Sequence, residues 1–441
     1  MSSTPSPSRA TSTGAAGPRT AGPSAASRTA GPSAASRTGG TPSITPSGRP
    51  TRYPGTTGRT GPDLPARVDL VVVGAGIVGL AHAVEAVGRG LSVLVVERND
   101  RAVGASVRNF GHGCFTAQDG EALTYAFTAR ERWIQLAKEA DFWLRESGTV
   151  VVARAEDEQQ VLEDFAQVRD GHARLLDRDA VLARVPANPD EVLGGAFLPQ
   201  DIRVDPREAV PAIARWYAEQ RGAHVAWSTT VQGFEAGSGV TLVRTSRGDV
   251  VATKVILAVG HDVDRFFPET ARTAGVQRCT LQMLRVDAPA GAAGGPREID
   301  PAIFTGTSML RYNGFRLSPA LTAVRERLTA QHPALIDAAV NLMVTQRPDG
   351  TLTLGDTHAY ATTPGPFHPE ALDELLLTEA ARLFATGPLT VRERWQGVYA
   401  SAPAPFLNAT PMPGVRAVSV TSGIGMTTAL GLAPRVLDSF L

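Results

Sequence analysis

Two cysteines, Cys114 and Cys279, are all the thiol in this chain of 441 residues, and lysine is equally scarce, at Lys138 and Lys254 alone. Two thiols exclude a disulfide framework and any four-cysteine metal site. The eight histidines are scattered, without the His/Cys/Asp spacing that holds a metal, so no metal is expected. No Gly-x-Ser-x-Gly elbow and no P-loop occurs, which sets aside two common routes to hydrolysis. Long apolar runs are missing too. Residues 70–96 are rich in Val, Leu and Ala, but Glu85, Arg89 and several glycines interrupt them. No stretch reaches the roughly 20 apolar residues a membrane span needs. The N-terminus lacks the apolar core of a secretory signal. These absences lead us to expect a reducing, cytoplasmic setting.

Neither sign of charge is in excess, with 43 Lys and Arg against 43 Asp and Glu. The distribution is uneven, however: residues 1–62 carry seven Arg and no acid. Seven charges in that length are too dilute to suggest a nucleic-acid partner. Apart from Met1, Ile44 and Tyr53, the same segment is Ser, Thr, Pro, Gly, Ala and Arg, with a nine-residue tandem repeat at 19–27 and 28–36. It holds too little apolar surface to offset its ordering entropy, which predicts a disordered, low-complexity tail over 1–62.

What the chain does have is concentrated at residues 68–97. A Val-rich run ends in Gly74-Ala75-Gly76-Ile77-Val78-Gly79, a helical stretch follows, and a second apolar run closes on Glu97-Arg98. Strand, glycine turn, helix, strand and acid is the full order of a dinucleotide fingerprint. Gly74 permits the sharp turn, Gly76 lets backbone N–H groups approach a pyrophosphate, and Gly79 lets the helix pack close to the sheet. The pyrophosphate then sits at a helix N-terminus, where Ile77 and Val78 open the first turn and unpaired N–H groups favour negative charge. Glu97 is positioned to accept hydrogen bonds from an adenosine ribose. The fingerprint alone leaves NAD and FAD both open.

Further along, apolar periodicity predicts a helix over 120–147, strands near 149–153 and 193–198, and a charged helix at 155–169. A helix starting at Asp205-Pro206 should run to 221. Strands are expected at 224–235, 239–246, 249–259, 341–346 and 351–355. The last strand, 415–420, leads into Gly423-Ile424-Gly425-Met426-Thr427 and a final helix. A nucleotide-binding unit completed at the end of the chain is discontinuous, with other material inserted between its parts.

These motifs resemble the D-amino-acid oxidase-like family of FAD-dependent oxidoreductases, which includes glycine oxidase and sarcosine oxidase, over about residues 67–441. Four features carry the resemblance: the fingerprint ending in Glu97 and Arg98; the loop Gly104-Ala105-Ser106 through Asn109; Val231 with the later strand end at Gly260; and the C-terminal glycine loop. In the family the second of these passes the flavin ribityl chain, with Ser106 and Asn109 at the matching positions. The position of Val231 supplies backbone contacts to adenine. The loop through Gly425, Met426 and Thr427 points a helix N-terminus at the flavin's pyrimidine edge, where reduced flavin carries negative charge. The resemblance implies an α/β fold: a discontinuous Rossmann-type FAD-binding domain (67–147, 205–275 and 395–441) with an inserted α+β substrate domain on an antiparallel sheet (148–204 and 276–394). FAD is expected to be non-covalent, because no clear flavin-linking cysteine stands in the C-terminal half.

A narrower similarity joins Ser106-Val107-Arg108-Asn109-Phe110-Gly111-His112, Gly355-Asp356-Thr357-His358-Ala359-Tyr360 and Trp395-Gln396-Gly397-Val398-Tyr399 to a bacterial branch associated with aminophosphonate breakdown. It implies oxidative deamination of a small anionic amine, first an aminophosphonate related to 2-aminoethylphosphonate and second an amino acid or N-methyl amino acid. Oxygen or another acceptor takes the electrons. An NAD-dependent dehydrogenase and a non-catalytic flavoprotein are the rival readings.

Removing hydride from an amine carbon calls for orientation and an anion anchor more than for a catalytic triad. The candidate catalytic residues are Arg108, His112, His358, Tyr360 and Tyr399, and Arg311 is a weaker anion-anchor candidate. Arg108 stands among glycines, where its charge calls for an anion or an ion-pair partner. His358 and Tyr360 are expected on one side of a strand end. His261 and His82 read as structural, and Cys114 as a small buried filler.

Overall fold

The computed structural model describes residues 64–291 and 295–441; the tail expected over 1–62 lies outside them. Arg67–Val73 forms β1, Ile77–Gly88 forms α1, and Val93–Val96 forms β2. Leu70, Val71, Val72, Val93 and Val95 are wholly buried, as expected of strands covered on both faces. β1 pairs in parallel with β2 and with strand Gly248–Leu257. On the outer side β2 pairs in parallel with Ala223–Ala226, and beyond Gly248–Leu257 lies Val415–Ser422, again parallel. The last strand of the chain therefore lies one strand away from the first.

The sheet does not stop there. Val391–Met412, a strand of 22 residues, pairs antiparallel with Val415–Ser422 at one end and with Gln277–Val286 at the other. From Gln277–Val286 the order continues through Leu352–Gly355, Met343–Gln346, Ala302–Phe304, Thr149–Ala153 and Gly194–Leu198 to Arg174–Asp177, all in one 16-stranded sheet. The expected α/β class is thus realised as one large mixed sheet, with a separate three-stranded sheet of His112–Gly113, Ile202–Val204 and Leu144–Arg145. The far half also departs from pure antiparallel pairing, since Ala302–Phe304 runs parallel to Thr149–Ala153.

Helices cover the parallel half. α1, α2 (Gly120–Glu139), Pro206–Ala218 and the C-terminal helix Gly425–Asp438 share a core that includes Leu80, Trp133, Ile213 and Leu430. Trp133 Nε1 donates to the carbonyl of Met426 at 2.8 Å, so α2 fixes where the C-terminal helix begins. No helix of the described residues is long and apolar enough to cross a membrane.

Three element boundaries differ from the sequence reading. α2 ends at Glu139, not 147, because Asp141 takes φ +51° and the chain turns into strand Leu144–Arg145. The expected strand 224–235 is two strands, Ala223–Ala226 and Val231–Ala236, separated where Ser228 takes φ +50°. The helix from Pro206 stops at Ala218, three residues short of the expected 221.

His82, on α1, is fully buried; a ring nitrogen lies 2.7 Å from the carbonyl of Val78, and Nε2 has no partner. Burial lowers its pKa to about 4. The unfolded chain binds this proton near pH 6.5, so His82 favours folding above that pH and the benefit fades as pH falls toward 4. In His82→Leu the stability difference between pH 8 and pH 5, measured by urea unfolding, should shrink by about 2 kcal/mol.

Candidate active site

The parallel strands end together, and the crevice beyond their C-terminal ends opens into a cavity of about 680 Å³. At Gly74, φ is +103° and an added Cβ would lie 2.6 Å from the carbonyl oxygen of Ala258. The turn after β1 is therefore pressed against the end of Gly248–Leu257. Gly79 approaches more closely: its Cβ would sit 1.9 Å from the Gly74 oxygen. It holds α1 on the turn and does not itself line the cavity. Glu97 Oε2 accepts from the N–H of Ala75 at 2.9 Å, and Oε1 accepts from the N–H of Asn99 at 3.0 Å. The acid after β2 thus braces the glycine turn from behind.

Gly74, Gly76, Ile77, Val78, Glu97, Arg98, Ser106, Asn109, Val231, Gly260, Gly425 and Met426 all line this one cavity. Ser106 Oγ accepts from the N–H of Ile77 at 2.8 Å, stitching the loop to the start of α1. Asn109 braces the same loop, donating to the carbonyls of Ala105 and Ser106 and accepting from the N–H of Gly111. The N–H of Thr229 donates to the carbonyl of Glu97, which sets 229–232 beside Glu97 on the cavity wall. Arg98 pairs with Asp262 at 2.9 Å. Thr427 lies one residue deeper in the C-terminal helix, outside the lining, with its hydroxyl 3.4 Å from Cys114 Sγ.

Neither N-cap residue, Gly76 of α1 nor Ile424 of the C-terminal helix, caps its helix with its own side chain; Ser106 takes the N–H of Ile77, and both helices begin at the cavity wall. Two such N-termini, beside a turn too closely packed for a Cβ at Gly74 or Gly79, suit the phosphates and the electron-rich ring edge of a flavin dinucleotide.

The other end of the cavity carries Arg311, Tyr312, Asn341, Met343, Asp356, His358 and Tyr399. Arg311 donates from Nε to His358 Nε2 at 3.2 Å, and from Nη2 to Tyr399 Oη at 3.0 Å and the carbonyl of Ser422 at 2.8 Å. Every one of these partners is neutral. Burial opposes its charge, but Tyr399, Tyr312, Tyr360 and Asp356 outweigh that and raise its pKa. His358 Nδ1 lies 2.9 Å from the carbonyl of Ala339, which fixes the tautomer as Nδ1–H. Burial, with Arg311 adjacent, holds the ring to about 3, so it is neutral. The Tyr399 hydroxyl is pushed well up by burial. Asp356 is buried, and that raises its carboxyl to about 7 against the lowering effects of Arg311 and Asn341.

Two expected catalytic residues stand elsewhere. His112 is behind the cavity wall, with Nε2 2.7 Å from Thr149 Oγ1, whose hydroxyl donates to Asp201 Oδ2 at 2.7 Å. It braces the sheet and lies outside the cavity lining. Tyr360 is 52% exposed, its ring stacked 6.4 Å from that of His358, and it also lies outside the lining. The two do not share one strand end. Leu352–Gly355 stops before His358, and Ala359–Ala361 pairs separately with Gln277–Val286. Arg108 does line the cavity. Its Nη1 donates to the carbonyl of Gln396 at 3.4 Å, and among the described residues it has no carboxylate partner. The ion pair that would have made Arg108 a loop brace is therefore not found.

Sequence reading undervalued Arg311 and gave no role to Asp356, Asn341 or Tyr312. Asp356 was in view inside Gly355-Asp356-Thr357-His358, but only the fold brings it to the same cavity end as Arg311. His261, read as structural, lines the cavity at the Arg98 end. The described residues contain no cluster suited to a metal ion.

A parallel sheet with a glycine cradle and a buried, charge-bearing far end defines a dinucleotide-dependent oxidoreductase. The chain belongs to the DAO family of FAD dependent oxidoreductases, whose model matches residues 69–438, and its cofactor is FAD. Membership decides between FAD and NAD. The chain is 26% identical over 222 residues to a subunit of the opine oxidase of Rhizobium meliloti, covering 46% of this chain and 58% of that protein. It is 25% identical over 199 residues to monomeric sarcosine oxidase of Bacillus sp. (strain B-0618), covering 44% and 51%. The matched stretches thus span about half the length of these relatives. Among solved structures, glycine oxidase from Geobacillus kaustophilus superposes with a TM-score of 0.67 at 18% identity, covering 85% of this chain and 95% of that one.

Glu97→Ala leaves the N–H of Ala75 without its acceptor, a loss of about 1–3 kcal/mol at a buried site. The purified variant should retain several-fold less FAD, read as the ratio of flavin to protein absorbance. Unchanged flavin content would remove Glu97 from the cradle.

Proposed function

We propose that this protein oxidises the C–N bond of a small amine that also carries an anionic group. The observation behind this reading is Arg311: a half-buried, charged guanidinium at the far end of the cavity, hydrogen-bonded only to neutral groups. A half-buried cation held by neutral partners is poised for an incoming anion. His358 and Tyr399 hold Arg311 in place, and Arg108 supplies a second cation, without a carboxylate partner among the described residues, on the cavity wall.

Bound FAD accepts the hydride that leaves the amine carbon. The N-terminus of α1 would hold the pyrophosphate, Glu97 the ribose hydroxyls, and the backbone at Val231 the adenine. Ser106 and Asn109 would line the ribityl path, and Gly425 and Met426 would face the pyrimidine edge. Neither cysteine lines the cavity, which supports non-covalent attachment. The FAD-binding part comprises 67–147, 205–275 and 395–441, and the substrate part 148–204 and 276–394. The resulting imine hydrolyses in water, and oxygen or another acceptor reoxidises the enzyme.

The preferred substrate is an aminophosphonate related to 2-aminoethylphosphonate, on the resemblance of the Arg108, His358 and Tyr399 segments. An amino acid or N-methyl amino acid is the second reading, supported by the similarity to sarcosine oxidase and glycine oxidase. An arginine fork takes phosphonate and carboxylate alike.

Anaerobic bleaching of the flavin band separates these. The panel is 2-aminoethylphosphonate, its N-methyl and 1-hydroxy forms, sarcosine, glycine, and D- and L-alanine. Bleaching by phosphonates alone supports the first reading, and bleaching by carboxylates alone the second. FAD that none of them reduces favours a non-catalytic flavoprotein. With whichever amine reacts, Arg311→Lys should raise the half-saturating concentration by about 10- to 100-fold through loss of a charge-assisted fork.

A further inference from the structure

The anion anchor leaves one charged group at its end of the cavity unused. Asp356 is 4% exposed and lines the cavity, yet among the described residues no arginine or lysine bonds to it. Its Oδ1 accepts from Asn341 Nδ2 at 3.1 Å, and Oδ2 lies 3.9 Å from His358 Nε2, a nitrogen already occupied by Arg311. A buried carboxylate without a cation is as costly as a buried guanidinium without an anion. One zwitterionic guest would satisfy both.

We propose that Asp356 receives the ammonium group of the substrate and takes one proton from it before oxidation. This rests on the amine reading above and names the residue that reading lacks. An ammonium nitrogen has no lone pair with which to form C=N, so a proton must leave first. The N–H bond breaks with its electron pair kept on nitrogen, and an O–H bond forms on Asp356. The C–H electron pair then departs as hydride to FAD while the nitrogen lone pair closes the C=N bond.

The neighbouring groups are poorer acceptors. Tyr312, Tyr399 and Cys279 are held protonated by burial, and Arg311 is a fixed cation. His358 is too weak a base at about 3, whereas the Asp356 carboxyl near 7 is matched to proton exchange at neutral pH. The substrate class narrows accordingly to primary and secondary amines. A quaternary betaine has no proton to give and should bind without reducing the flavin.

The test is rapid-mixing anaerobic reduction of the FAD-loaded enzyme from pH 5.5 to 9, using an amine that bleaches the wild type. The wild-type rate should rise with pH as Asp356 ionises. In Asp356→Asn the rate at pH 7 should fall by at least about 100-fold and recover only toward the pKa of the amine itself. The deamino analogue, which carries the anion alone, should perturb the flavin spectrum with an unchanged Kd. Asn341→Leu removes the hydrogen bond that lowers the Asp356 pKa, so its rising limb should move to higher pH. A wild-type rate and profile in Asp356→Asn overturns the proposal. If that variant fails to hold FAD, an unmoved limb in Asn341→Leu overturns it instead. Wild-type FAD that no amine bleaches ends the amine reading and this inference together; bleaching with an unmoved profile removes Asp356 alone.

Discussion

The parallel pairing of residues 255–257 with 415–417 ties the end of the chain into the sheet that β1 begins. Without that register the C-terminal helix would have no fixed origin. With it, two helix N-termini from opposite ends of the described chain line one cavity. The pairing also aligns Val391–Met412 so that it serves both halves of the sheet. Tyr399 on that strand thereby reaches Arg311, and the carbonyl of Ser422 at the end of the last strand does the same. The glycine cradle and the far end of the cavity are set by the same hydrogen-bonded frame.

Electrostatically the cavity is divided. Its cradle end offers helix N-termini and backbone N–H groups, which suit phosphates. The far end holds one guanidinium and one carboxylate without pairing them directly, each held by neutral groups. Direct pairing would have cancelled both charges and left little to distinguish a zwitterion from any other small molecule. His358 stands between them, neutral, with one nitrogen spent on Ala339 and the other on Arg311. Its work in this arrangement is to hold the guanidinium still.

His112 illustrates how a residue can carry the right local sequence and the wrong side of the wall. It follows Gly111 in the loop that lines the cavity, and its neighbours Arg108, Asn109 and Phe110 do face it. At Gly111 the chain takes φ +70°, with an added Cβ only 1.9 Å from the Val204 oxygen. The next two residues pair as a strand with Ile202–Val204, which turns His112 toward Thr149 and Asp201. Nothing local announces that pairing. Tyr360 departs for a related reason, since a break after Gly355 puts it and His358 in different settings, one exposed and one buried.

Local sequence was enough for the nucleotide end. Strand, glycine turn, helix and acid act over about thirty consecutive residues, so local sterics and helix polarity suffice to hold Gly74, Gly76, Gly79 and Glu97 in their places. The α/β class and the return of the chain end to the sheet were legible for the same reason, because an apolar strand with a glycine turn and helix is a local pattern. The far end of the cavity was assembled by the three-dimensional fold. Arg311, Asn341, Asp356 and Tyr399 come from four separate segments; Arg311 and Tyr399 were candidates one by one, and Asn341 and Asp356 read as ordinary in theirs. Only long-range sheet register brings them together, and only the burial that follows gives their charges chemical meaning.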